Sequence, residues 1–444
     1  MTGQPQMAAA AAAAVAPGGA GGARSRWRVG TRTSLLFAGF AMFLLLLPLV
    51  VRGDTGRSTL CFIGVMVVYA LSFNVLLGQA GLLSLGHGMF FGLGGFATVH
   101  AINVLSAAEL PVPLPALPLV GGLGGLVFGA LFGMVATRRD GMAFAMITLG
   151  LGELVSGAAT LLPSVFGGEQ GVGTDRTSLG PFLGIGFARQ GEVYYLIAGW
   201  CFVTVVVLYG LTRTPFGLIS RSLRENPGRV EFLGYRPQTI RFLAFCTAAF
   251  FAGLAGALAA VNFEIMTTGS IGAVQSTIVL LMTYIGGVGF FVGPMIGAAL
   301  ISVMQIWLSD ITPAWQMYFG LMFIAVVMFI PGGLAGMLFA AARAAMTGAL
   351  FRSLPRLLAA LAASLIAAVG LSVLIELVYQ AGLNASQGPV RWYFGLPLRT
   401  DAPWFWLAGV VLLIAGAAAL RVAGPALTQR LRSPAPAHGT GGLA

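Results

Sequence analysis

Lysine is absent from this 444-residue chain: all 24 of its basic residues are arginines. A phosphate-binding P-loop sets a lysine on the β- and γ-phosphates, so the chain is not itself a P-loop ATPase. Charge of either sign is scarce, 8% of residues against 58% hydrophobic. A soluble domain carries about 25% charged residues, and so little charge cannot clothe a soluble surface of this size. Cysteine is equally thin. Cys61, Cys201 and Cys246 each fall inside an apolar run, where they read as small buried hydrophobes rather than a disulfide framework or a metal site. The histidines His87, His100 and His438 lie far apart, so no cluster marks a metal. No nucleophile–base pair stands out, which argues against a membrane enzyme. The net charge of +11 sits in short arginine blocks between apolar runs, a pattern that does not suit nucleic acid. What remains is an all-α polytopic membrane protein, embedded in a lipid bilayer and needing no cofactor.

Runs of the roughly 20 apolar residues that a membrane helix needs occur near 34–51, 59–77, 82–104, 114–136, 141–162, 193–212, 239–262, 292–308, 313–330, 357–379 and 403–422. The run 272–286 is shorter and glycine-punctuated. It is either a short span or part of a broken helix, and with it the expectation is about ten core crossings and two C-terminal ones. Residues 1–33 form an alanine- and glycine-rich tract ending in arginines and lack an A-x-A-type cleavage site downstream. They read as a disordered cytoplasmic tail before an uncleaved first span. Alternation from that start puts Arg138, Arg139, the loop 213–241, Arg343, Arg352 and Arg356 inside, as the positive-inside bias requires. It puts 163–192 and Asp310 outside, with Arg52, Arg57, Arg391 and Arg399 as exceptions. Both termini are then cytoplasmic.

Glycine is abundant where charge is not. Gly121, Gly125, Gly129 and Gly133 recur at every fourth position, and so do Gly289, Gly293 and Gly297. Such stripes are expected to be packing seams, since lipid offers no hydrophobic drive for helix association. The stretch GQAGLLSLGHGMFFGLGG, Gly78 to Gly95, holds seven glycines together with Gln79, Ser84 and His87. Polar groups here need protein or water around them, and Gly88 and Gly92 are spaced for close helix contact. The expectation is a broken start to the third crossing that lines or gates a pathway. Gly86-His-Gly88 begins like a dinucleotide fingerprint, but the spacing fails at Phe91 and no strand precedes it. Asn74 and Thr148 are further candidates for the pathway. Glu153 is another, near the middle of 141–162, where an acid costs ~2.5–3.5 kcal/mol on insertion scales. It reads as a polar lining residue, a contact for a cationic group, or a structural hydrogen bond between helices.

The loop 213–241, RTPFGLISRSLRENPGRVEFLGYRPQTIR, mixes apolar and charged residues. Ile219, Leu223, Val230, Phe232 and Leu233 alternate with Arg221, Arg224, Glu225 and Glu231. Pro227 after Asn226 marks a boundary, and Gly234 can cap a short helix after Glu231. A short helix with apolar anchors and a charged rim suits a groove on a partner, whereas a purely solvated basic loop has no use for five apolar residues.

The run RSLRENPGRVEFLGYRPQTIRFLAFCTAAFFAGLAGALAA resembles the coupling region of branched-chain amino acid ABC permeases of the LivM type. Four more stretches agree in order: LSFNVLLGQAGLLSLGHGMFFGLGGFA, DGMAFAMITLGLGEL, FGGEQGVGT and IGGVGFFVGPMIGAAL. The resemblance covers about residues 34–340 and leaves 341–444 as an extension with two expected spans and an external loop carrying Trp392, Tyr393 and Trp404. It implies a subunit of the bacterial inner membrane that pairs with a second, LivH-type permease. Two cytoplasmic ATPases would dock below, and an extracytoplasmic binding protein would deliver the substrate. Arg221, Arg224, Glu225, Asn226, Glu231 and Gly234 would lie in the ATPase-docking segment, whose motion switches the pathway between outward and inward access. Branched-chain or similar small amino acids are the implied substrates, with urea or short amides as the alternative within the family. A secondary transporter is the alternative outside it, with Glu153 as its main intramembrane acid.

Overall fold

A computed structural model describes residues 31–432 except 52, 111, 183, 331, 347–348, 384–389, 394–395 and 400–401. The expected tail therefore lies almost wholly outside the described residues. The chain divides into two units, Met1–Leu46 and Leu47–Ala444. Most of the apolar helix α1 (Thr31–Val50) belongs to the first.

The second unit is a helical bundle. Its helices are α2 (Asp54–Asn74), α3 (Gly88–Ala107), α4 (Pro118–Ala136), α5 (Gly141–Leu161), α6 (Gln190–Thr212), α7 (Pro215–Glu225) and α8 (Pro227–Phe232). They continue as α9 (Pro237–Phe263), α10 (Ala273–Gly286), α11 (Gly293–Ile311), α12 (Trp315–Phe329), α13 (Gly333–Met346), α14 (Ala349–Leu383) and α15 (Pro403–Arg432). Among the described residues nine helices are long and apolar enough to cross a membrane, and the pair α12–α13, bent by 48°, makes a tenth. The remaining two expected spans are shorter apolar helices. With 14 residues, α10 rises about 21 Å at 1.5 Å per residue, less than a hydrocarbon core of about 30 Å. It is sheltered instead, with Val279, Met282 and Ile285 fully buried. The all-α polytopic expectation holds.

The core forms where α2, α3 and α4 surround α9. Every residue of α9 from Leu254 to Asn262 is buried, most of them alanine, glycine or leucine. Small side chains allow helices to meet backbone to backbone, and the first glycine stripe does so. A Cβ added at Gly125 would collide with the Ala249 carbonyl, one at Gly129 with the Ala249 methyl, and one at Gly133 would come within 2.9 Å of the Phe245 ring. The second stripe is shorter than expected. Gly293 and Gly297 press on Gly287 and Met282, whereas a Cβ on Gly289 would meet nothing within 4 Å. Gly289 lies in the turn between α10 and α11 with nothing in contact range, so it is not a packing position.

At the end of the bundle opposite the arginine-rich loop, strand β1 (Val172–Gly173) pairs antiparallel with β2 (Ile265–Met266). Arg176 fastens this loop to the end of α9. Its backbone N–H donates to Glu264 Oε1 at 3.1 Å, and its guanidinium reaches the carbonyls of Val261 and Asn262 at 3.4 Å. In the extension, α14 and α15 pack through Gly370, which faces Gly409 and Leu413, and Gly416, which faces Ala367. The chain between them forms the antiparallel strands β3 (Val390–Tyr393) and β4 (Leu396–Arg399). Glu376 of α14 is 1% exposed and accepts a 3.1 Å hydrogen bond from the Tyr318 hydroxyl of α12. That acid interrupts an apolar run and is a polar tie between extension and core.

Candidate functional site

The polar stretch picked out in sequence is a break in the bundle. At Asn74, α2 passes into a π-helical turn, Val75–Ala80, and Gly81 then takes φ 70°. The chain is not helical from Leu82 to Leu85, and α3 starts only at Gly88. The expected third crossing, 82–104, therefore loses its first turn and a half. The cause is close backbone approach. A Cβ at Gly86 would overlap the Thr148 carbonyl, one at Gly88 would lie 2.9 Å from the Gly272 carbonyl, and one at Gly92 would overlap the Ile271 side chain. Glycine here admits α5 and the segment before α10 against the chain.

A break leaves backbone groups without helical partners, and in a membrane these must be satisfied within the protein. The Leu85 N–H donates to Thr148 Oγ1 at 3.2 Å, and the Gly88 N–H donates to Ser276 Oγ at 2.8 Å. The Gly78 carbonyl accepts from Arg224 Nη1 at 2.8 Å. His87 is fully buried against Tyr69, Phe73 and Phe90, with Nε2 3.0 Å from Ser72 Oγ. Ser72 gives its one hydroxyl proton to the Tyr69 carbonyl at 2.6 Å, so His87 Nε2 carries the proton in that contact. Nδ1 is then a bare acceptor. Among the described residues it has no partner, and neither do the buried Asn74 Oδ1 and Ser84 Oγ.

Two short helices clasp the break from the arginine-rich end. Thr214 caps α7 by accepting from the Gly217 N–H at 3.3 Å. Asn226 caps α8 by accepting from the Arg229 N–H at 3.4 Å. Proline follows each cap, at the first helical position where its missing N–H is harmless. Leu223 and Val230 are buried with Ile240 and packed by Phe216 and Ile219. The other anchors point away: Phe232 is 95% exposed, and Leu233 is exposed beside it. Gly234, at φ 83°, turns the chain there, its N–H donating to the Glu231 carbonyl at 2.9 Å. The clasp holds the break through two arginines, because Arg221 Nε donates to Gln79 Oε1 at 2.8 Å as Arg224 binds Gly78.

Asn74, Gln79, Ser84, His87 and Thr148 thus gather around one break, joined by Arg221 and Arg224 of α7. Glu153 stands apart on the exposed side of α5, where Cβ atoms at Gly150 and Gly157 would also meet nothing. Glu225 and Asn226 close α7, and Glu231 and Gly234 sit with Phe232 at the exposed tip. Sequence reasoning missed Ser72 of α2 and Ser276 of α10, which hydrogen-bond to His87 and to the Gly88 N–H at the break, and Glu376. Only Glu376 carried a signal, as a lone acid in an apolar run.

The family model described as branched-chain amino acid transport system / permease component matches residues 57–331. The high-affinity branched-chain amino acid transport system permease protein LivM of Escherichia coli strain K12 is 27% identical over 310 residues, 65% of this chain and 71% of its own length. The corresponding protein BraD of Pseudomonas aeruginosa is 24% identical over 300 residues, 64% of this chain and 94% of its own. The guanosine ABC transporter permease protein NupQ of Bacillus subtilis strain 168 is 26% identical over 248 residues, 52% of this chain and 74% of its own. No solved structure matches. The matched residues contain the break, the clasp and α9, and end before the extension.

Proposed function

Because this chain belongs to the family of branched-chain amino acid transport system permease components, we propose that it is a membrane-spanning subunit of an ATP-binding-cassette importer. It carries branched-chain or similar small amino acids inward by alternating access, driven by two separate cytoplasmic ATPases. A second permease of the LivH type completes the pore, and an extracytoplasmic binding protein supplies the cargo. The setting is a bacterial inner membrane with both termini in the cytoplasm. Amino acids are the cargo named for LivM and BraD, while the name of NupQ, a guanosine permease, marks cargo choice as the point where relatives diverge.

The observation that carries this reading is the clasp. One side of α7–α8 is hydrogen-bonded to the break through Arg221 and Arg224, and the other presents Phe232, Leu233 and Glu231 outward. A subunit that docks on the outward side and moves pulls on the break directly. Gln79, Ser84, His87, Asn74 and Thr148 then change their surroundings with each cycle, and Glu153 faces the second permease or the pathway between the two.

Replacing Phe232 with Asp tests the docking side without touching the break. The variant should insert normally and lose most of its ATPase on affinity purification, with ATP-driven uptake falling at least tenfold. Wild-type recovery of the ATPase would remove α7–α8 as its docking segment.

A further inference from the structure

A cavity of about 410 Å³ opens at the arginine-rich end of the bundle, within the range of about 300–1,000 Å³ typical of small-molecule sites. Three segments distant in sequence close it. The break contributes Asn74 and Gln79, α7 contributes Arg221, Arg224 and Glu225, and the turn ahead of α11 contributes Phe290.

Its charges are of both signs and are not spent on each other. Among the described residues neither guanidinium lies within ion-pair distance of a carboxylate. Arg221 spends one donor on Gln79 and Arg224 one on Gly78. A guanidinium has five, so most remain. An inorganic anion would satisfy the arginines and repel Glu225. A molecule bearing a carboxylate and an ammonium a few ångströms apart satisfies both, and the Phe290 ring adds an apolar wall.

We propose that this cavity is a vestibule that binds the free zwitterion of an apolar α-amino acid. The carboxylate lies on Arg221 and Arg224, the ammonium on Glu225, and the side chain against Phe290. That the occupant is released cargo rests on the importer reading above. Because α7 supplies both charges, an occupied vestibule holds the clasp against the break, and cargo accumulating on the receiving side slows the cycle.

The test uses the assembled transporter, permeases with ATPases but without the binding protein, in lipid nanodiscs. It is titrated by calorimetry with L-leucine, leucinamide, 4-methylpentanoate and inorganic phosphate. L-Leucine should bind saturably, and the two analogues, each lacking one charge, at least tenfold more weakly. Phosphate should not compete. Gly289 lines the same cavity, is not left-handed, and has nothing within 4 Å of a Cβ. Gly289→Leu therefore fills the space without a folding penalty and should weaken leucine at least tenfold. Phosphate or 4-methylpentanoate binding as tightly as leucine would reduce the site to an anion pocket and overturn the proposal. So would absent leucine binding, or binding that Gly289→Leu leaves unchanged. Absence of ATP-dependent amino acid uptake by the complete system in proteoliposomes sinks the importer reading instead, and intact uptake without vestibule binding sinks only the vestibule.

Discussion

The seam between α4 and α9 and the break between α2 and α3 are both rich in glycine, and they use it to opposite ends. In the seam, each glycine of the stripe meets α9 or a close neighbour. Both helices run unbroken there, so every backbone group keeps its own helical partner. In the break, glycine lets neighbours press against a chain that has left the helix. Its backbone groups depend on side chains from elsewhere, and three buried polar atoms, on Asn74, Ser84 and His87, have no partner among the described residues. Close approach without loss of helix gives a rigid element. Close approach at a break leaves hydrogen bonds that can be exchanged, as a hinge in the alternating access proposed above would need. Alternating access requires both, something to move and something to move against.

The largest effect expected from this contrast is at Gly125. Its Cβ would meet backbone, the Ala249 carbonyl and Gly253 Cα, with no flexible side chain to give way. Overpacking a core costs about 1–3 kcal/mol where side chains can shift; here Gly125→Leu should exceed that and remove most monodisperse protein on size-exclusion chromatography. Wild-type yield would break the picture of the seam as the rigid element. A smaller loss is expected at the hinge. Ser276→Ala strands the Gly88 N–H in a buried site, worth about 1–3 kcal/mol. The protein should still fold with a lower melting temperature, and uptake should fall more than stability does. Uptake that merely tracks the folded fraction would make the break an ordinary joint.

The spans were legible because hydrophobic length is a local property, and the break was legible because glycine and polar residues together defy it. What the clasp holds was not. Arg221 and Arg224 meet Gln79 and Gly78 across 142 and 146 residues, and an amphipathic helix has two sides whose partners its sequence does not name. The apolar residues of 213–241 looked like a single set of anchors, yet Leu223 and Val230 turn inward while Phe232 and Leu233 turn out. Gly289 looked like a member of a stripe because periodicity ignores the turn that interrupts it. Glu376 was visible as an acid in an apolar run, but its meaning depends on Tyr318, 58 residues earlier.

The finest test of the contrast lies within one helix. Gly150 and Gly152 of α5 are two residues apart, hence on nearly opposite sides. A Cβ at Gly150 would meet nothing, whereas one at Gly152 would stand 3.0 Å from Gly86 Cα in the break. Glycine inside a helix is less stable than alanine by roughly 0.5–1 kcal/mol. Gly150→Ala should therefore raise the stability of the purified subunit by about that amount. Gly152→Ala carries the same propensity gain but must push the break away, so the net change should be a loss. Denaturant unfolding in detergent reads both. Opposite signs place the demand for glycine in the contact between α5 and the break; equal effects would place it in the helix itself, and the hinge would lose its neighbour.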